Sequence, residues 1–178
     1  MNASRKSDIT LTLQDGVSLR ILRESDVTTE YVNVLNDPSR TGHMSYIERP
    51  KETRESVKAY IKYNFESGSD YLFGLFIDGK LIGTSRLHDI NEKEKSAWVG
   101  VFIFSSAQEG RGYGSLMVNA ICDYAFDILG LKSVRAAIKH ENESSRRCFS
   151  KAGFNIEGID HSYVGFIREI WVRDDCQE

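Results

Sequence analysis

The chain predicts an α+β fold, a mixed sheet with helices on both faces. Three observations point to it. Strand-like and helix-like segments follow in the order strand, two helices, three strands, helix, strand, helix, two strands, which is not the strict alternation of a doubly wound sheet. Some segments alternate apolar and polar residues, and others carry apolar stripes at helical spacing. The length, 178 residues, fits roughly one domain, large enough to hold a core without disulfides or metal.

Residues 1–16 read as a flexible leader or an edge strand, and residues 17–178 as a single domain. Val17–Leu22 alternates and reads as a strand. Ser25-Asp26 offers N-cap chemistry for a helix carrying Val27, Tyr31, Val34 and Leu35. Asn36-Asp37-Pro38 ends that helix, because proline restricts the residue before it and has no N–H to donate. A second helix is expected from Lys51 to about Glu66, with Val57, Ile61 and Phe65 on its inner stripe. Tyr71–Ile77 and Lys80–Leu87 form a hairpin around Asp78-Gly79, a pair that tolerates positive φ. After the charged turn Asn91–Lys95, the β-branched and aromatic run Ala97–Phe104 predicts a central strand. A strong helix follows Gly114. Leu116, Ala120, Ile121, Tyr124, Ala125, Ile128 and Leu129 form its apolar face, and Gly130 closes it. Ser133–Ile138 is a strand, Asn142–Ala152 a short helix stopped at Gly153, and Phe154–Glu157 and Tyr163–Val172 are the final strands. This makes about seven strands and about four helices.

Composition excludes several classes. With 40% apolar and 28% charged residues, the chain is of soluble globular type. A net charge of −3 does not suit duplex nucleic acid, and the basic stretch Arg49–Lys62 is interleaved with Glu52 and Glu55 like a solvated helix face. No apolar run can span a bilayer, and Met1–Asp8 has no secretory h-region. Cys122, Cys148 and Cys176 are odd in number and lack zinc-like spacing, as in a cytoplasmic protein with reduced thiols. His43, His88, His140 and His161 form no i,i+4 pair, so no metal is expected.

The stretch with the most chemistry is Gln108-Glu109-Gly110-Arg111-Gly112-Tyr113-Gly114-Ser115. It follows a strand and opens a helix. Its glycines allow close backbone approach, and several N–H groups with the helix dipole suit a pyrophosphate, with Arg111 as counter-ion. From the glycines alone, a turn that merely joins strand to helix is an equal alternative. The Gly-Lys-Ser/Thr ending of a Walker loop is absent, and G-x-G-x-G after the fourth strand is not a dinucleotide fingerprint, so ATP and NAD are disfavoured. One strand later comes Asn142-Glu143-Ser144-Ser145-Arg146-Arg147-Cys148-Phe149-Ser150-Lys151-Ala152-Gly153-Phe154, a capped helix with a glycine stop.

Together these motifs resemble the GNAT superfamily of acyl-CoA-dependent N-acetyltransferases, over about residues 17 to 172. The family loop Q/R-x-x-G-x-G/A is matched by Glu109–Gly114, with Glu109 in place of Gln or Arg. The later pattern N-x-x-S-x-x-x-Y-x-K-x-G-F is matched at Asn142, Ser145, Lys151, Gly153 and Phe154, with Phe149 in place of Tyr. The resemblance implies a strongly twisted sheet splayed between the fourth and fifth strands, with acetyl-CoA in the gap as co-substrate. Val99–Ile103 (Val101, Phe102 and Ile103 in particular) would then pair with the pantetheine arm. Glu109, Gly110, Arg111, Gly112, Tyr113, Gly114 and Ser115 would hold the pyrophosphate, with Asn142 and Phe149 beside the cofactor arm. The amine of the acceptor attacks the thioester directly. Because Phe149 cannot protonate the leaving thiolate, Ser145 is the first substitute. Cys148 reads as a small buried residue. His88 is the best placed base, ahead of Glu141, Glu157 and a water chain, although a rim histidine remains the blander reading.

The first half looks like that of bacterial enzymes acetylating nucleotide-linked amino sugars, and less closely like ribosomal-protein N-terminal acetyltransferases. Leu35-Asn36-Asp37-Pro38 favours the sugar, with Arg40, His43, Tyr46 and Arg49 nearby; the same four residues also read as a helix-ending turn. A polyamine would want an acidic cluster, which the first half lacks. A catalytically weak CoA-binding module is the alternative of another class. No nucleic-acid or membrane partner is expected, and Tyr163–Val172 leaves a homodimer open.

Overall fold

The structure is a computed structural model that describes Lys6 and residues 9–42, 50–162 and 167–175. Eight strands form one sheet in the order β1-β2-β3-β4-β5-β6-β8-β7. They are β1 Thr10–Gln14, β2 Val17–Ile21, β3 Tyr71–Ile77, β4 Lys80–Asn91, β5 Ser96–Ile103, β6 Ser133–Lys139, β7 Asn155–Asp160 and β8 Arg168–Asp174. Neighbours run antiparallel except β5 and β6, which are parallel. Among the described residues there are five α-helices: α1 Thr29–Leu35, α2 Pro38–Thr41, α3 Arg54–Glu66, α4 Tyr113–Asp123 and α5 Glu143–Lys151. The sheet has one strand more than expected because Thr10–Gln14 pairs with β2. The expected fourth and fifth strands are therefore β5 and β6.

The run Tyr71-Leu72-Phe73-Gly74-Leu75-Phe76 is apolar on both sides because β3 is covered on both. On one face Phe73 and Leu75 join Leu19, Leu87 and Val99 under Met117, Val118, Ile121 and Cys122 of α4. On the other, Leu72 and Phe76 join Phe102 and Phe104 under Tyr31 of α1 and Val57 and Ile61 of α3. Gly74 lies in the second layer at a place with no room: an added Cβ would come within 2.7 Å of Leu22 and Phe76. The β3–β4 turn has Asp78 at φ 48° and Gly79 at φ 78°, the positive angles that a two-residue hairpin needs.

Four boundaries differ from expectation, each for a physical reason. The first helix is capped by Thr28, whose Oγ1 accepts from the Tyr31 N–H at 3.1 Å. Asp26 is instead held by Arg20 through two bonds of 2.8 and 2.7 Å. α3 begins only at Arg54, where Thr53 and Ser56 form a capping box. α4 continues into a π-turn over Tyr124–Ile128. Before the turn the helix buries Met117, Val118, Ile121 and Cys122; the turn changes the helical register after them, and Ile128 is 63% exposed. β4 runs on to Asn91, with an irregularity after His88 and Asp89 at φ 51°. Of the expected last strand, residues 163–166 lie outside the described residues.

Phe73 is completely buried, in the layer under α4. Phe73→Ala is expected to cost about 3–5 kcal/mol. It should lower the thermal midpoint by roughly 6–20 °C at about 2–4 °C per kcal/mol, as read by calorimetry.

Candidate active site

β5 and β6 pair at Ser96↔Ser133, Ala97↔Val134 and Trp98↔Arg135, and then part. β5 stays on β4 through Ile103, and β6 stays on β8 through Lys139. From Val99 onward the β6-facing edge of β5 therefore has main-chain donors and acceptors without a strand partner. The gap opens into a cleft of about 520 Å³, lined by Val99–Phe102 of β5, Ala137–Lys139 of β6, and Asn142, Ser145 and Phe149. Because β5 and β6 are parallel, the segments that follow them both leave at the open end.

After β5, Gly110 (φ 71°) and Gly112 (φ 85°) adopt left-handed conformations. Gly112 is the N-cap of α4 and has no side chain to offer the helix. The first-turn N–H groups, those of Tyr113, Gly114 and Ser115, lack intrahelical acceptors and lie at the positive end of the dipole, an arrangement that binds phosphate oxygens. The loop seats tightly on α5. Ser115 Oγ donates to the Cys148 carbonyl at 3.1 Å, and a Cβ on Gly114 would lie 3.0 Å from Cys148 Sγ. Burial pushes the Cys148 thiol up, opposed by a hydrogen bond with Ser115, so it is held as a thiol.

Glu109 would repel a phosphate here if it stood alone. Its Oε1 lies 2.6 Å from Arg40 Nη2, which also donates to the Phe104 carbonyl at 2.9 Å. Arg40, expected at the acceptor, thus serves the loop and neutralises the family-atypical Glu109.

α5 is positioned from both ends. Asn142 Oδ1 caps it by accepting from the Ser145 N–H at 3.1 Å. Phe149 is buried with its ring edge-on to Phe154, centroids 5.0 Å apart. Ser145 stands one turn before Phe149 and lines the cleft. Beneath the helix Glu169, 4% exposed, accepts from His140 Nδ1 at 2.7 Å, Arg146 Nε at 3.0 Å and Trp171 Nε1 at 3.0 Å. Burial alone would raise the Glu169 pKa; the bonds from His140 and Trp171 and the Arg146 charge outweigh it and hold the carboxyl below its ordinary value.

Thr84, Arg86 and His88 alternate along β4 opposite Phe102, Gly100 and Trp98. They line the cleft with Tyr31, Glu52, Ser56 and Tyr60. His88 Nδ1 is 2.9 Å from Asp89 Oδ2, which leaves Nε2 as the other ring nitrogen. Of the expected bases only His88 is there. Glu141 is absent from the lining. Glu157, also absent, is bound by Arg135 at 2.9 and 3.1 Å, whose hydrogen bond holds its carboxyl below the usual range.

Asn36 is a clamp: its Oδ1 accepts from the Glu52 N–H at 2.7 Å and its Nδ2 donates to the Glu52 carbonyl at 2.8 Å. Asp37 caps α2 through the Ser39 N–H at 2.9 Å. Leu35–Pro38 therefore has a structural role, though Leu35 also lines the cleft. His43, Tyr46 and Arg49 lie outside the described residues.

The structure thus brings Val101, Phe102, Asn142, Ser145, Phe149 and His88 to one cleft. Ile103 ends β5, and Glu109, Gly110, Arg111, Gly112, Tyr113, Gly114 and Ser115 follow it outside the cleft lining. Sequence reasoning missed Tyr31, Glu52, Ser56, Tyr60, Thr84 and Arg86. The period-two spacing of Thr84, Arg86 and His88 on an expected strand was the one signal for the last two.

Glu169→Gln is expected to cost about 3 kcal/mol near neutral pH, since it uncouples a buried charge cluster. With a lowered folded-state pKa, the native carboxylate stabilises fully above its unfolded value of about 4.5. That contribution is lost as the pH falls through the folded value. The gap between wild type and variant in urea unfolding should therefore close in acid.

The chain matches the family model described as an acetyltransferase (GNAT) domain over residues 17–155. It is 36% identical over 121 residues to a Bacillus subtilis protein named "Probable N-acetyltransferase YjcK", covering 66% of this chain and 65% of that protein, just under two thirds of its length. It is 26% identical over 144 residues to a Vibrio cholerae spermidine N(1)-acetyltransferase, covering 80% of each chain. The fold superposes on the crystal structure of the apo ribosomal L7/L12 α-N-protein acetyltransferase RimL with a TM-score of 0.80 at 16% identity, over 94% of each chain. With the parted strands, the glycine-opened helix and a family match over most of its length, the chain belongs to the GNAT acetyltransferase family.

Proposed function

We propose that the protein is an acetyl-CoA-dependent N-acetyltransferase acting on a primary amine, with the cofactor arm between β5 and β6 and its pyrophosphate on the Gly110–Ser115 loop. The observation that carries this reading is the parting of β5 from β6 after three residue pairs, beside a helix start that has no capping side chain. The free edge of β5 at Val101, Phe102 and Ile103 offers main-chain partners to an extended amide-bearing arm. Arg111 adds charge at the loop, and Asn142 and Phe149 wall the far side. Acetyl-CoA supplies the acyl group as a thioester.

In the reaction a C–N bond forms at the thioester carbonyl and the C–S bond breaks. His88 takes the proton leaving the amine through Nε2, while Nδ1 is steadied by Asp89. Ser145 offers its hydroxyl to the departing sulfur, where Phe149 has none. A thiolate is a fair leaving group, so this last contribution is modest, whereas general base catalysis is worth about 10²–10⁴-fold.

The cleft does not favour a polyamine. Its carboxylate Glu52 stands with two cations, Arg86 and Lys139. The support for a nucleotide-linked amino sugar also weakens, because Asn36 and Asp37 are spent on the fold and Arg40 on Glu109.

Acetyl-CoA and CoA near millimolar should raise the thermal midpoint by several degrees where NAD does not. A ligand at 100 times its Kd adds about 2.7 kcal/mol. No shift with either CoA species would sink the cofactor assignment. Arg40→Ala is expected to weaken CoA binding roughly tenfold, as loss of about 1.4 kcal/mol would do, by leaving Glu109 unpaired beside the loop; adding Glu109→Gln should restore it. In thiol-release assays His88→Ala should lower kcat by about 10²-fold or more and Ser145→Ala by less than about tenfold. Binding of CoA without thiol release on any amine would favour the weakly catalytic binding module instead.

A further inference from the structure

We propose that Arg86 and the open space over Gly100 form a subsite for an anionic oxygen group on the acceptor, so that the substrate is an amine that also carries a carboxylate or a phosphate. This rests on the acetyl-transfer reading of the cleft and names the class of molecule that the cleft takes.

Gly100 is the first observation. A glycine inside a strand costs chain entropy and gives up side-chain packing, and it often marks a place where a ligand approaches the backbone closely. The other strand glycines have structural reasons. Cβ atoms on Gly74 and Gly83 would come within 2.7 Å of neighbouring side chains, and Gly158 sits at a break in the β7–β8 register. Gly100 has neither reason. Its φ is not left-handed, and a Cβ there would meet nothing within 4 Å. It lines the cleft.

Arg86 is the second. It stands directly across from Gly100 and also lines the cleft. One bond, Nη2 to Asp70 Oδ1 at 3.2 Å, holds it from behind, while its Nε is buried with no hydrogen-bond partner among the described residues. A guanidinium has five N–H donors in a planar fork suited to oxyanions, and here the fork is only partly used. Asp70 meets only one of its three nitrogens. The other oxygen of that carboxylate accepts from Ser67 Oγ at 2.8 Å, and burial lowers the Lys6 pKa against the pull of Asp70. Lys6 itself donates to the carbonyls of Asn64 at 3.3 Å, Asp70 at 2.6 Å and Ser67.

The third is the balance across the cleft. Glu52, whose Oε2 accepts from Ser56 Oγ at 2.6 Å, faces a lining that also holds Arg86 and Lys139. A molecule with one amine and one oxyanion complements that set, whereas a polycation would meet two cations, Arg86 and Lys139, beside the one carboxylate of Glu52.

The test is a set of initial-rate measurements with acetyl-CoA and amines of matched length bearing a terminal carboxylate, a terminal phosphate, a neutral hydroxyl, or a second amine (spermidine included). The expected kcat/KM is at least tenfold higher for a carboxylate or phosphate amine than for its hydroxyl counterpart, and the better of the two arms identifies the oxyanion. In Arg86→Gln this ratio should fall at least tenfold, mainly through KM, and in Arg86→Lys by less. Gly100→Val, which fits the backbone and fills only the open space, should also collapse the ratio. Thermal midpoints and CoA binding of each variant check that the fold is retained. Equal rates for anionic and neutral amines, preference for the diamine, or an Arg86→Gln variant that loses all acceptors in proportion would overturn the subsite while leaving the transferase reading intact. No turnover of any amine by the wild type would overturn both.

Discussion

The loss of pairing between β5 and β6 beyond Trp98 and Arg135 is the constraint on which the rest of the site depends. Each strand keeps its outer neighbour, so the sheet opens along one seam without unravelling. A parallel pair requires a crossover connection, and α4 with its approach loop is that connection. The crossover sets the start of a helix at the end where the strands diverge, and the chain leaving β6 delivers α5 to the same end. A strand edge, a helix N-terminus and a second helix meet there because the pairing is parallel. An antiparallel pair would send one of these segments to the opposite end.

Charge is handled in pairs around this seam. Glu109 is matched by Arg40 from the region between α1 and α3, Glu169 by Arg146 and His140 beneath α5, and Asp26 by Arg20 at the edge of the first helical layer. Each interaction ties two separate elements together as well as neutralising charge. The Glu169 cluster is the deepest of the three, and it fixes the helix that presents Ser145 and Phe149.

Much of this was legible in the sequence where local chemistry decides the outcome. Asp78-Gly79 gave the hairpin, Ala97–Phe104 a central strand, Asn142 a cap and Gly153 a stop, because each depends on backbone angles or on groups within a few residues. The glycines from 110 to 114 marked the loop for the same reason. What stayed hidden depends on partners distant in sequence. Asp26 looks like a cap until Arg20 is beside it, and Arg40 looks like an acceptor contact until Glu109 takes it. The π-turn at Tyr124–Ile128 cannot be seen by projecting a uniform period, and that projection put Ile128 inside. Arg86 is a single arginine in a strand pattern; only the cross-strand register, which sets it opposite Gly100, distinguishes it from any solvated cation.

The Asn36–Glu52 clamp separates two jobs that loops often combine. Two hydrogen bonds close the connection at its base, so the geometry of the cleft wall is set by residues 36 and 52 and by the capping box behind them. Asp37 and Arg40, just inside the anchors, keep their own contacts with α2 and Glu109, while closure of the connection rests on the clamp. Insertions or exchanges there alter loop-closure entropy only slowly with length. Such a connection bears a change of length better than a change at Asn36, because that one side chain carries both bonds of the clamp.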